Sequence, residues 1–115
     1  MKKIFFLLVI MAGFFGKPAN AQAPAQCQDV MLQAFYWDSY ADSKWTVLNT
    51  KADEIVPVYS LVWLPPSGNC QSSFNMGYAP IWWFDQNSAF GSSDELKTLI
   101  TSLTARGAHV LADVV

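Results

Sequence analysis

The sequence predicts an α/β fold with parallel strands, and three features of it predict this. Short apolar runs bounded by turn residues read as strands, and segments with apolar residues every three or four positions read as helices. These alternate as strand, helix, strand, helix, strand, so both crossovers contain a helix, and crossovers of that kind join parallel strands.

The elements follow in order. VMLQAFYW (residues 30–37) is apolar and aromatic with one polar interruption, as expected of a strand buried on both faces. After a polar turn at residues 38–43, Trp45, Leu48, Ala52 and Ile55 recur on one helical face until Pro57 stops the helix. SLVWL (residues 60–64) forms a second strand closed by Pro65 and Pro66. A long connection, residues 67–91, holds most of the glycines and asparagines and a dense aromatic group, and loops of that length in a compact domain are usually functional. Ser92 and Glu95 have capping-box spacing, Leu96, Leu99, Ile100 and Leu103 mark the buried face of the next helix, and Gly107 stands where its left-handed C-terminus belongs. VLADVV (residues 110–115) begins a third strand.

Two completions are open for such a pattern, a doubly wound nucleotide-binding sheet or an eight-stranded barrel. A dinucleotide site needs a glycine-rich turn after its first strand, whereas Asp38-Ser39-Tyr40-Ala41-Asp42 is acidic and would repel phosphate. The barrel is the better completion: three strands and two helices of an incomplete (β/α)8 TIM barrel, whose site would be built from loops that follow the strands.

Residues 1–21 read as an export signal: a basic start, an apolar run over residues 4–15, and Ala19-Asn20-Ala21 as the cleavage pattern. The run would reach only ~18 Å as a helix, short of the ~30 Å hydrocarbon thickness of a bilayer. The expected mature segment, residues 22–115, is therefore secreted or periplasmic, with no membrane association once the signal is removed. The signal carries three of the seven basic residues, leaving four against nine acidic ones, a net charge of −5 that disfavours nucleic acid. Export permits a disulfide between Cys27 and Cys70, but their places before the first strand and after the second put them roughly 15 Å apart, which favours unpaired or differently paired thiols. The chain stops inside an apolar run with no turn or cap, so it reads as a piece of something larger.

Five blocks then acquire a meaning together: VMLQAFYWDS (30–39), VWLPP (62–66), MGYAPIWWFDQNSAFG (76–91), DELKTLITSLTARG (94–107) and ADVV (112–115). In order and spacing they resemble the opening of an alpha-amylase. The resemblance implies an exported, monomeric, calcium-stabilised endo-hydrolase of α-1,4-glucan, built on a (β/α)8 barrel and acting by retaining double displacement. It places the nucleophile, the acid and a third aspartate on later strands, so this chain holds no catalytic carboxylate and no calcium ligand.

Two substrate-binding positions carry over from the resemblance. Tyr78, in Gly77-Tyr78-x-Pro80, matches the family tyrosine that stacks on the sugar ring beside the scissile bond; a flat aromatic face suits the C–H face of a pyranose. Asp113 matches the aspartate that opens the family's first conserved region and helps to order an arginine beside the nucleophile; an acid at the end of so apolar a strand needs a partner. Trp82 and Trp83 stand where many relatives carry an acidic residue, which leaves two accounts, a wider aromatic surface for glucan or local packing. Pro57-Val58-Tyr59 replaces the usual glycine-containing approach and leaves the register of the second strand open. His109, the only histidine, is expected to be structural or exposed, and Trp37 and Trp63 to be core residues closing their strands. Competing readings are a non-catalytic secreted glucan-binding protein, with Tyr78, Trp82 and Trp83 as its platform, and a relative that rearranges glucans.

Overall fold

A computed structural model describes residues 24–115; the expected signal segment and its cleavage point lie outside the described residues. Three strands, β1 (Met31–Gln33), β2 (Leu61–Leu64) and β3 (His109–Ala112), form one sheet in the order β1-β2-β3, parallel throughout. The first crossover holds two short helices, α1 (Trp45–Thr50) and α2 (Ala52–Ile55), and the second holds α3 (Ser93–Ala105). A parallel sheet with helical crossovers is thus observed, and it is compatible with part of a barrel.

The register explains where the core sits. Leu32, Val62 and Val110 are paired neighbours across the three strands and turn together toward the helices, where Val62 is fully buried. The alternate row, Gln33, Trp63 and Leu111, lies on the opposite face, because successive side chains in a strand point to opposite sides. Helix α3 presents Leu99 and Leu103 to the core, one turn apart, with Leu96 and Ile100 partly buried beside them. Burying each of those leucines is worth about 1.5–3 kcal/mol.

Helix α3 starts as the capping-box spacing predicts. The Ser92 hydroxyl accepts from the Glu95 N–H at 3.3 Å, and the Ser92 N–H donates to Glu95 Oε2 at 2.7 Å, so two N–H groups with no helical partner are satisfied. Gly91 leaves room for that exchange, since a Cβ there would lie 2.5 Å from Glu95 Oε2. The helix ends at Gly107, φ +102°, and Arg106 ties it to α2 through Asp53, Nε to Oδ1 at 2.6 Å.

Three expectations are corrected. The first strand covers three residues, not eight, and its exposure pattern is not that of a strand covered on both faces: Met31 is half exposed. The parallel ladder extends only to Ala34, whose N–H donates to the Trp63 carbonyl at 2.9 Å, before Asp38 adopts φ +72° and turns the chain into a 3-10 turn at Ser39–Ala41. Trp37 therefore lies past the strand, 54% exposed, and meets Phe74 edge to face at 5.5 Å; it is not a core residue. Trp63 does sit in β2, half-buried against Phe35 at 5.3 Å. The first helix is broken at Lys51, φ −96° and ψ 1°, although Trp45, Ala52 and Ile55 share the buried face as their spacing predicts. The register of β2 is settled by Met31 pairing with Leu61.

Candidate functional site

The carboxyl ends of β2 and β3 open onto the long connection. After β2, Pro65 and Pro66 are buried and fix the exit of the chain. The connection then makes a 3-10 turn at Ser73–Asn75, capped by the Ser72 hydroxyl, and leaves it through two successive left-handed residues, Met76 at φ +54° and Gly77 at φ +88°. Gly77 passes so close to Pro66 that a Cβ would lie 2.0 Å from the Pro66 carbonyl oxygen. Glycine is what this crossing requires, and the crossing sets where the next residue, Tyr78, is presented.

Tyr78 and Asp113 meet. Separated by 35 residues, they are joined by a hydrogen bond in which the Tyr78 hydroxyl donates to Asp113 Oδ2 at 2.8 Å. Asp113 lies one residue past β3 and is half-buried, so the carboxylate has the partner that its apolar setting demands. Partial burial and the adjacent Asp113 carboxylate, in that order, push the Tyr78 phenol above its ordinary value. The proton that makes the bond is thus retained beyond the ordinary tyrosine titration near pH ~10 and lost only above it.

Asp113 also lines a cleft of about 230 Å3 together with Pro66, Gly77, Trp82, Trp83 and Gln86. That is smaller than the roughly 300–1,000 Å3 of pockets that enclose larger ligands. An open space of this size, walled by aromatic rings and a few polar groups, can hold one sugar ring. Its position at the carboxyl ends of parallel strands is where α/β folds place their ligand sites.

The outer part of the connection is organised by Asp85, which sequence reasoning missed. Its Oδ2 accepts from Asn69 Nδ2 at 2.7 Å, and its Oδ1 accepts from the backbone N–H and the side-chain amide of Asn87 at 3.0 and 2.8 Å. The bond from Asn69, then those from Asn87, hold the carboxyl of Asp85 below the usual aspartate range. The available signal was Asp85-x-Asn87, since aspartates commonly bind the backbone two residues on. His109 is exposed at the start of β3, and Cys27 and Cys70 are both free thiols.

Among the described residues no three His, Cys, Asp or Glu side chains are gathered so as to hold a metal ion. Asp85, the carboxylate richest in polar neighbours, has both oxygens taken by amide donors. These residues do not supply a calcium site. No helix among them is long and apolar enough to cross a membrane.

No protein-family model matches the chain. Two curated proteins of Arabidopsis thaliana are similar to it: Alpha-amylase 3, chloroplastic, and Probable alpha-amylase 2, each 34% identical over 89 residues, or 76% of this chain. The matched stretch is 10% of the first and 21% of the second, so the chain spans about a tenth and about a fifth of the length of the curated relatives it matches.

Proposed function

From the premise that this chain is a relative of the alpha-amylases over those 89 residues, we propose that it forms part of a retaining endo-hydrolase of α-1,4-glucosidic bonds in starch or glycogen. The observation that carries the reading is the Tyr78–Asp113 hydrogen bond, whose carboxylate partner lines a cleft on the carboxyl side of the sheet. Tyr78 offers an aromatic face to the apolar side of a glucose ring. Asp113 holds the phenol from its far end and so limits rotation of the ring before the sugar arrives, which lowers the ordering cost of binding. One donor occupies Oδ2, and Oδ1 is left to accept from the arginine that later strands would bring beside the nucleophile.

The bond-breaking carboxylates belong to those later strands. The retaining mechanism needs two carboxyl groups about 5–5.5 Å apart across the scissile bond, and residues 22–115 alone are expected to release no reducing ends from starch. Calcium, export after cleavage at Ala21 and a monomeric state are proposed for the full-length protein on the family relationship, and no step above runs through the metal.

The test is the action of the full-length protein on maltoheptaose, followed by proton NMR of the first products. Internal cleavage that releases the α-anomer supports the reading. Release of the β-anomer, or glucan transfer without net hydrolysis, overturns it.

A further inference from the structure

The arm of the connection that carries Tyr78 is braced at a point away from the tyrosine itself. Asn69 holds two arms at once. Its carbonyl accepts from the Ile81 N–H at 2.8 Å, three residues past Tyr78, and its own N–H donates to the Asp85 carbonyl at 2.9 Å. Its side-chain amide donates to Asp85 Oδ2 at 2.7 Å. Beside it, a Cβ on Gly68 would lie 3.0 Å from Pro80 Cβ, so the Tyr78 arm is packed as well as bonded there.

The brace reaches helix α3. Asp85 Oδ1 accepts from the N–H and the side-chain amide of Asn87, and Asn87 Oδ1 accepts in turn from the Ser93 N–H at 3.1 Å. That N–H belongs to the first residue of α3 and has no partner inside the helix. From Ser93 the chain runs through α3 and β3 to Asp113, whose carboxylate accepts from the Tyr78 hydroxyl. The ties therefore close a ring: the Tyr78 arm to Asn69, Asn69 to Asp85, Asp85 through Asn87 to α3, and α3 through β3 and Asp113 back to Tyr78. Helix α3 is capped at its start and buries Leu99 and Leu103, so it is the rigid side against which the arm is set. Asp85 is the joint, because a carboxylate has acceptor sites enough for all three side-chain and backbone donors and brings no donor of its own.

We propose that Asp85 is a positioning residue for the candidate site: by joining Asn69 to Asn87 it sets the Tyr78 arm against α3 and holds the Tyr78 hydroxyl within reach of Asp113. Asp85 bonds to neither member of the pair and does not line the cleft, so it acts only through the ring. The positioning itself stands on these contacts, and its use in catalysis rests on the glucan reading above. Groups in one hydrogen-bond network lose their independence, so opening the ring at Asp85 or at Asn87 should release the pair.

The experiment uses the full-length protein isotope-labelled at tyrosine Cζ, with Tyr78→Phe identifying the Tyr78 resonance by NMR. Two ring variants, Asp85→Ala and Asn87→Ala, are compared with Asp53→Ala, which breaks the Asp53–Arg106 tie at the other end of α3 and lies outside the ring. Partial burial and Asp113 hold the Tyr78 phenol above its ordinary value. Each ring variant is therefore expected to shift the Tyr78 resonance at neutral pH and to bring its titration to lower pH, while Asp53→Ala changes neither. Asn87→Ala leaves the Asn69–Asp85 bond in place, and it decides the matter if Asp85→Ala does not fold, as Tm reports. A Tyr78 signal unchanged in a folded ring variant, or moved equally by Asp53→Ala, overturns the proposal.

Activity separates the positioning role from the glucan reading. On maltoheptaose, Tyr78→Phe is expected to lower kcat/KM by about tenfold in the unaltered protein, the equivalent of one hydrogen bond, and by less than about threefold in a ring variant, where the pair is already released. Losses that multiply in full overturn the positioning role and leave the glucan reading standing. If the unaltered full-length protein cleaves no maltoheptaose, the glucan reading falls, and the Tyr78 resonance alone decides whether Asp85 sets the pair.

Discussion

Substituting Gly77 with alanine tests how the sequence presents Tyr78. Two costs add. A residue with a Cβ held at φ +88° carries left-handed strain of about 1–2 kcal/mol. The new Cβ would also lie 2.0 Å from the Pro66 carbonyl oxygen and 2.7 Å from its carbon, where ordinary contact is 3.4–4 Å. Pro66 is buried, so it cannot swing aside, and forced overpacking of this kind typically costs about 1–3 kcal/mol. The expected loss is about 2–5 kcal/mol, with Tyr78 pulled away from Asp113. Gly107→Ala supplies the control. Its φ is +102° but nothing lies within 4 Å of a Cβ, so only the strain of about 1–2 kcal/mol applies. Urea denaturation of both variants of the full-length protein, followed by tryptophan fluorescence, measures the difference. Equal losses for Gly77→Ala and Gly107→Ala would refute the reasoning, since the Pro66 contact would then contribute nothing.

The remaining predictions address the frame around the site. Trp45 is fully buried against Phe90, at 5.0 Å between ring centres, so Trp45→Ala should destabilise by about 3–5 kcal/mol in the same assay. Trp45→Phe should cost clearly less, because the indole Nε1 is buried with no hydrogen-bond partner among the described residues. Ser92→Ala removes one half of the capping box and should cost about 1 kcal/mol, seen as faster amide exchange in the first turn of α3. Asp85 has a depressed folded pKa, so what its carboxylate contributes is present above the ordinary aspartate value near ~3.9 and is lost as pH falls through the lower folded value. The protection of the Asn87 amide, relative to its intrinsic exchange rate at each pH, should therefore fall in acid before that of α3, and Asp85→Asn should abolish the difference.

Local structure was legible in the sequence where its determinants are local. The capping box and the terminal glycine of α3 lie within the helix they delimit, and Ser92, Glu95 and Gly107 do what their spacing predicts. Strand length was not legible, because it is set by a partner. Residues 34–37 remain as apolar as a strand, yet pairing ends with the Ala34–Trp63 bond and the chain turns at Asp38. The break at Lys51 was equally hidden, since the buried face continues across it from Trp45 to Ile55. The family resemblance singled out Tyr78 and Asp113 separately. That they bond to each other depends on the Gly77–Pro66 crossing and on the register of β2 with β3, neither of which any periodicity reports. The hub at Asp85 depends likewise on Asn69, sixteen residues away in the chain.

The most direct measurement is a crystal structure of the full-length protein with a maltooligosaccharide bound. A glucose ring stacked on Tyr78, with the phenol still bonded to Asp113, is the expected result. A sugar bound elsewhere, with the Tyr78 face covered by protein, would contradict the assignment of this cleft to α-glucan.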